Sequence, residues 1–285
     1  MSEFIISGFS DEISPDFTVQ LEEVKKLGIA YIEIRGVNGK SVVEHSIVEM
    51  QLIKKQMDEA GVKVSAVGSP IGKVQITDDF ESHFELFKHT IALAEVLETK
   101  YIRLFSFFVD EGTADAYEKE VMRRMKALCD YVEGTDITLL HENEKDIYGD
   151  TAERCRKLYD TMGSENFKLI FDPANFIQCG EETYPYAFDL LKDEVIYMHI
   201  KDAKLINGEV VPSGYGDGHL SEIIGQLHLN GYKGFLSLEP HLGEFAGFSA
   251  LEGEGDIPTF NEKSDASKFE LAYNSLMAIL TSLTA

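Results

Sequence analysis

The chain has 285 residues, 44% of them hydrophobic and 27% charged, which excludes a disordered chain and leaves enough apolar material for a sizeable core. Asp and Glu number 50 against 26 Lys and Arg, a formal net charge of −24. Such a surface repels phosphate backbones, and Lys and Arg gather only in pairs (Lys25-Lys26, Lys54-Lys55, Arg123-Arg124), so nucleic acid is excluded as a partner.

Taken in chain order, short apolar runs rich in β-branched and aromatic residues alternate with longer segments of helical period. A strand over 4–9 is followed by a helix over 16–27, and a strand over 29–34 by a helix over 44–60. The pattern repeats as strand 62–67 and helix 79–97, strand 101–105 and helix 114–133, strand 137–140 and helix 150–162. It closes with strand 167–171 and helix 181–191, strand 195–200 and helix 220–230, and strand 235–238 with a last helix from about 264 to 283. In that last helix Phe269, Tyr273, Leu276, Ile279, Leu280 and Leu283 fall on one face. Gly28, Gly61, Gly134 and Gly231 follow helical segments, where a left-handed cap is wanted.

Most of the strand runs are continuously apolar, as expected of strands covered on both faces. Eight strand–helix units over 285 residues allow about 36 residues each, the spacing of a closed parallel barrel. The fold class is therefore read as α/β, a single (β/α)8 barrel in one domain over residues 1–285. An open doubly wound sheet is the alternative, but the turn after the first strand, "GFSDEIS", lacks the glycine-rich phosphate loop of a dinucleotide fold. Three scattered cysteines, Cys129, Cys155 and Cys179, with no CxxC pair, suit a reducing compartment and argue against a thiolate metal site. The N-terminal residues show no basic, apolar leader and no run of 18 apolar residues occurs, so a cytoplasmic protein without membrane contact is expected. Residues 241–263 form a long, acidic, glycine-rich stretch containing Phe245, Phe248 and Phe260, expected to be a surface excursion or a flap over the site.

In a parallel barrel the chemistry sits where strands end at their C-terminal edge. Strand five ends in "HENE", strand six in "FDPANF", strand seven in "HIKDA" and strand eight in "LSLEPH". Four consecutive strands thus end in a group able to bind metal: Glu142, Asp172, His199 and Glu239. Each has an ordinary alternative, such as a helix cap, a salt bridge or a hydrogen-bonded core histidine. Three carboxylates converging on one barrel mouth repel strongly unless a cation sits among them. A site of three carboxylates and one imidazole suits one divalent ion, Mn²⁺ first, then Mg²⁺ or Co²⁺, with Zn²⁺ as an alternative. Other polar residues at strand ends are candidate substrate contacts: Arg35, Ser69, Lys73, Asn175, Lys201, Asp202 and His241. His141 is expected to face away from Glu142, its neighbour along the strand.

These motifs, together with "GYGDGHL", resemble those of the xylose-isomerase-like TIM-barrel superfamily of sugar isomerases and epimerases, also called AP endonuclease family 2. The resemblance runs from "GFSDEIS" through the last helix. It implies a divalent metal held by Glu142, Asp172, His199 and Glu239, with Glu142 and Glu239 as the acid/base pair that moves a proton beside a carbonyl through an enediolate. Family epimerases often carry a histidine three residues past the aspartate ligand, where this chain has Asn175. The activity implied is a metal-dependent sugar isomerase or epimerase. The alternative is a metal-dependent dehydratase of a keto-cyclitol or a 3-dehydroshikimate-like compound, and less strongly a non-catalytic sugar-binding barrel. The resemblance also implies a homo-oligomer. With no phosphate loop or basic cluster, a free sugar is expected over a phosphorylated one.

Overall fold

The apolar runs become eight parallel strands: β1 (Ile5–Gly8), β2 (Tyr31–Ile34), β3 (Lys63–Val67), β4 (Tyr101–Leu104), β5 (Thr138–Glu142), β6 (Phe167–Phe171), β7 (Val195–Ile200) and β8 (Phe235–Leu238). The structure is a computed structural model and describes residues 4–245 and 262–283. Ladder bonds join the strands in the order β1-β8-β7-β6-β5-β4-β3-β2. β1 and β2 lie side by side, so the eight strands form a nearly closed barrel.

Nine α-helices are found among the described residues: α1 (Phe17–Lys26), α2 (Ile47–Ala60), α3 (Phe80–Val96), α4 (Ala114–Val132), α5 (Ala152–Met162), α6 (Pro173–Gln178), α7 (Phe188–Leu191), α8 (Leu220–Leu229) and α9 (Ala266–Ser282). Local chemistry fixes their ends. Asp16 caps α1 by accepting from the backbone N–H groups of Thr18 and Val19, and Ser46 with Glu49 forms a capping box on α2. The four glycines expected after helices all take positive φ, 73° at Gly28, 74° at Gly61, 78° at Gly134 and 71° at Gly231.

Two elements depart from the sequence expectation. The predicted helix over 181–191 is a turn at Thr183–Ala187 followed by the short α7, with Tyr184 extended at φ −142°, ψ 133°. Pro185 is the cause, because its ring drives the preceding residue out of the helical region. The single-turn helix α6 was not expected. It starts at Pro173, whose missing N–H costs nothing at a first helical position, and is capped by the Asp172 carboxylate. Short antiparallel pairs, Gly36–Val37 with Lys40–Ser41 and Asp202–Ala203 with Val210–Val211, follow β2 and β7. The anticipated flap over 241–263 falls largely outside the described residues. Within it Phe245 is buried and Glu244 bridges to Lys263.

Strand alternation sorts side chains to two sides. Ile32, Ile34, Ile102, Leu104, Leu139, Leu169, Met198, Leu236 and Leu238 join the large outer core beneath the helices. The inward positions stack from apolar to charged. Tyr31, Tyr101, Tyr197 and Phe235 form an aromatic layer with ring centroids 5.2–6.4 Å apart, packed with Ala66, Leu140 and Ile170. One step up the strands lie Glu33, Arg103, His199 and Ser237. Another step brings Arg35, Lys201 and Glu239. The barrel therefore offers a dry floor and a charged mouth.

Candidate active site

The four residues singled out by sequence meet at this mouth. Glu142, Asp172, His199 and Glu239 are all buried, and each offers a ligand atom within 4.8 Å of the other three. Parallel register does the placing, since Ser237 pairs with His199, Ile170 with Glu142 and Phe171 with Met198. β5 extends past its predicted end because His141 and Glu142 continue the ladders to β4 and β6. Asn143 ties the next turn down: its amide donates to the Asp172 carbonyl at 2.9 Å and its Oδ1 accepts from the Asp172 N–H at 2.9 Å.

His199 is oriented from behind. Its Nε2 lies 3.1 Å from Glu33 Oε2, which also accepts from the Ser237 hydroxyl at 2.7 Å. The Nδ1 edge is thereby turned to the cluster, 2.9 Å from Glu142 Oε1, 3.4 Å from Glu239 Oε2 and 3.8 Å from Asp172 Oδ2. A carboxylate behind a ligand imidazole fixes its tautomer and raises its basicity.

Three permanent cations stand around the four. Lys201 Nζ lies 2.9 Å from both Asp172 Oδ2 and Glu239 Oε2. Arg103 donates from Nη1 to Glu142 Oε2 at 3.1 Å and sits 3.7 Å from Glu239 Oε1. Arg35 donates to both Asp11 oxygens, at 2.8 and 3.1 Å, to Glu12 Oε1 at 3.2 Å and to Glu239 Oε1 at 3.1 Å. Its guanidinium lies between the Phe9 and Phe245 rings, 4.2 and 4.6 Å from their centroids.

The electrostatics follow from this packing. Burial raises the Glu142 and Glu239 carboxyls, but the charges of His199 and Arg103 for the first, and of Lys201, His241 and His199 for the second, outweigh it. Glu142 ends below its usual value and Glu239 well below. Asp172 is pushed up to about 7 by burial, which Lys201 only partly offsets. Glu12 is pushed up to about 8 by burial against the pull of Arg35. Burial lowers His199, but Glu142, Glu33 and Glu239 together hold it well above its usual value.

Six buried carboxylates (Asp11, Glu12, Glu33, Glu142, Asp172, Glu239) face three buried permanent cations (Arg35, Arg103, Lys201). The carboxylates outnumber those cations, and the oxygen-rich donor set of Glu142, Asp172, His199 and Glu239 suits a dication placed among them. The residues present therefore fit a divalent metal.

The remaining candidates divide. Asn175 joins the site, its amide donating to Glu142 Oε1 at 3.2 Å and to the Asn143 carbonyl at 2.9 Å. His241 stands at the edge, with Nε2 3.5 Å from Glu12 Oε1 and from Glu239 Oε1. Lys73 reaches Glu144 at 3.1 Å over the Phe105 ring. Two candidates are engaged by the scaffold. The Ser69 hydroxyl donates to the Arg103 carbonyl. The Asp202 carboxylate accepts from the N–H groups of Gly214, Gly216, Gly218 and Ala203, holding the glycine loop. His141 faces away as expected, to Ser106 at 3.0 Å. Sequence reading placed Glu33 and Asn143 at strand ends without giving them a role, and missed Asp11, Glu12 and Arg103. The signal for Glu33 and Arg103 was a single charge inside an apolar strand, "YIEI" and "YIRL", where only a buried partner makes it tolerable.

Among known proteins, a family model described as xylose isomerase-like TIM barrel matches residues 21–255. No curated protein matches the chain by sequence. Several solved structures match along nearly their whole length. D-allulose 3-epimerase from Methylomonas sp., in complex with D-allulose, is 15% identical with a TM-score of 0.76, over 99% of this chain and 98% of that one. The 3-keto-D-glucoside 4-epimerase of E. coli is 15% identical with a TM-score of 0.70, over 98% and 100%. A probable 3-DHS dehydratase of petrobactin synthesis from Bacillus anthracis is 18% identical with a TM-score of 0.69, over 97% and 98%.

Proposed function

This chain belongs to the xylose isomerase-like TIM-barrel family, and from that premise we propose that it is a divalent-metal-dependent sugar isomerase or epimerase. The observation that carries the reading is the convergence of Glu142, Asp172, His199 and Glu239 within 4.8 Å on four consecutive strand ends. These four residues would hold the ion, Mn²⁺ being the first choice for so oxygen-rich a set. When bound, such an ion supplies positive charge for the oxyanion that develops as a C–H bond beside a carbonyl is broken.

The chain's own groups do the rest. Glu142 takes the proton from one face of the substrate and Glu239 returns one to the other. Each has one oxygen in the cluster and one on an arginine, Glu142 Oε2 on Arg103 and Glu239 Oε1 on Arg35. Those arginines keep both carboxylates ionised, as a base must be, and limit their rotation. Lys201 places an ammonium beside the reacting centre. Asn175 fixes Glu142 from the side opposite Arg103.

A dehydratase reading is favoured by one observation. Glu12, whose carboxyl burial pushes up to about 8, lies beside His241, which is equidistant from Glu12 and Glu239, and in its neutral form it would protonate a departing hydroxyl. Proton abstraction beside the carbonyl is common to both reactions. A panel of ketoses, keto-sugars and inososes with Mn²⁺ in D2O, followed by NMR and mass, separates them. Deuterium at carbon with unchanged skeleton mass marks the isomerase, and loss of water the dehydratase. Glu239→Gln should slow exchange by about 10²–10⁴-fold with the fold intact. Undiminished exchange in that variant sinks the assignment.

A further inference from the structure

We infer that Tyr197 is a positioning residue of the site: held from below by Ser65, its hydroxyl fixes the Glu33 carboxylate behind His199, so that the imidazole keeps its Nδ1 edge on the cluster. This role rests on the proposed divalent-metal site. Two irregularities in the parallel ladders aim the groups concerned. Where β2 meets β3, Ile32 pairs with Val64 and Glu33 with Ala66, so Ser65 is an extra residue. Where β6 meets β7, Leu169 pairs with Val195 and Ile170 with Tyr197, so Ile196 is extra. Val195 and Met198 join the outer core, whereas Ile196 and Tyr197 both pack on the inner layer. Strict alternation from Val195 would turn His199 outward. The bulge shifts the phase and brings Tyr197 and His199 to the same inner side, their rings 5.9 Å apart.

The result is a line of buried hydroxyls through a floor that is otherwise apolar. Ser7 Oγ lies 2.7 Å from Ser65 Oγ, and Ser65 Oγ lies 2.9 Å from the Tyr197 hydroxyl. A phenylalanine would fill the same layer, as Phe235 does beside Tyr197, so the hydroxyl is the feature that packing does not explain. It stands beside the Glu33 carboxylate. Oε2 of that carboxylate is taken by Ser237 and His199. Oε1 has no hydrogen-bond partner among the described residues, a costly state for a buried oxygen. Ser65 can donate to the Ile32 carbonyl at 3.0 Å or to Tyr197. In the second arrangement Ser7 donates to Ser65, Ser65 to Tyr197 and Tyr197 to Glu33. That line ends on a charged acceptor, and a charge-assisted bond is about twice as strong as a neutral one. Glu33 is then gripped by two hydroxyls, Ser237 from β8 and Tyr197 from β7, and cannot swing away from the imidazole.

The test is Tyr197→Phe in the full chain, which removes the hydroxyl and keeps the ring. Mn²⁺ affinity is read by titration calorimetry and the fold by circular dichroism. The variant is expected to bind Mn²⁺ about tenfold more weakly, the lower end of what loss of an outer partner costs. In a Glu33→Gln background the same change should have no further effect, because Tyr197 acts only through that carboxylate. Unchanged affinity in a folded Tyr197→Phe protein overturns the proposal, and so does an equal loss in both backgrounds, the mark of a merely structural hydroxyl. Ser65→Ala, which leaves Tyr197 in place, is expected to lose about threefold, half of that free energy. Unchanged affinity there also overturns the proposal, and this variant decides the case if Tyr197→Phe does not fold. Failure of the parent chain to bind Mn²⁺ is a separate outcome, which sinks the metal site and this role with it.

Discussion

Replacing Arg103 by Met tests the charge balance on which the site is built. The guanidinium is buried, 3.1 Å from Glu142 and 3.7 Å from Glu239, and packs 4.9 Å from the Phe9 and Phe105 ring centroids. Methionine keeps much of that packing, so the loss is mainly electrostatic. Six buried carboxylates would then face only Arg35 and Lys201. Breaking a buried pair by removing one partner costs about 3–5 kcal/mol. Asp172, already pushed up to about 7, takes up a proton more readily and moves the cost toward the lower end. Unfolding entropy for 285 residues is about 0.6 kcal/mol per degree, so melting in chelator should fall by about 5–8 °C. Metal should act in the opposite sense. A site one charge more negative binds a dication more tightly, and a tenfold gain in affinity adds about 1.4 kcal/mol to the ligand-induced stabilisation. Thermal melts with chelator and with saturating Mn²⁺, plus titration calorimetry, read both effects. An unchanged melting temperature in chelator, or weaker Mn²⁺ binding in a folded variant, refutes the reasoning.

Other expectations concern groups around the cluster. Glu33→Gln removes the carboxylate behind His199 and should weaken Mn²⁺ binding by about 10–100-fold with little change in fold, as read by calorimetry and circular dichroism. Unaltered affinity would show that Glu33 does not position the imidazole. Glu12 is raised from 4.5 to about 8, so the folded state keeps a proton that the unfolded chain releases. Its contribution is complete below about pH 4.5 and is lost as pH rises through about 8. In chelator, Glu12→Gln should flatten the decline of stability across that window, and parallel curves for variant and parent would contradict the assignment. Gly72 sits at φ +88° with an added Cβ only 2.0 Å from the Phe105 carbonyl oxygen, whereas Gly61 at φ +74° meets nothing within 4 Å. Gly72→Ala should cost more than about 4 kcal/mol and Gly61→Ala only about 1–2 kcal/mol. Similar costs in denaturant titration would count against the close approach at Gly72.

The alternation of apolar runs with helical segments was enough to read eight parallel strands, because period-2 and period-3.6 patterns and glycine caps are local properties. The same logic exposed Glu142, Asp172, His199 and Glu239, since an ionisable group ending a buried strand is costly wherever it lands. Only tertiary structure decided what surrounds them. Glu33 and His199 are 166 residues apart, and Arg35 and Glu239 are 204 apart. No spacing rule links such pairs, and barrel closure alone brings the inward side chains of β2 to those of β7 and β8. Closure also separated the candidate contacts. Asn175 turned into the cluster, while Asp202 turned to the glycine loop and Ser69 to the backbone of β4. A side chain's chemistry is written in its own residue, but its partners are set by register and closure across the whole chain.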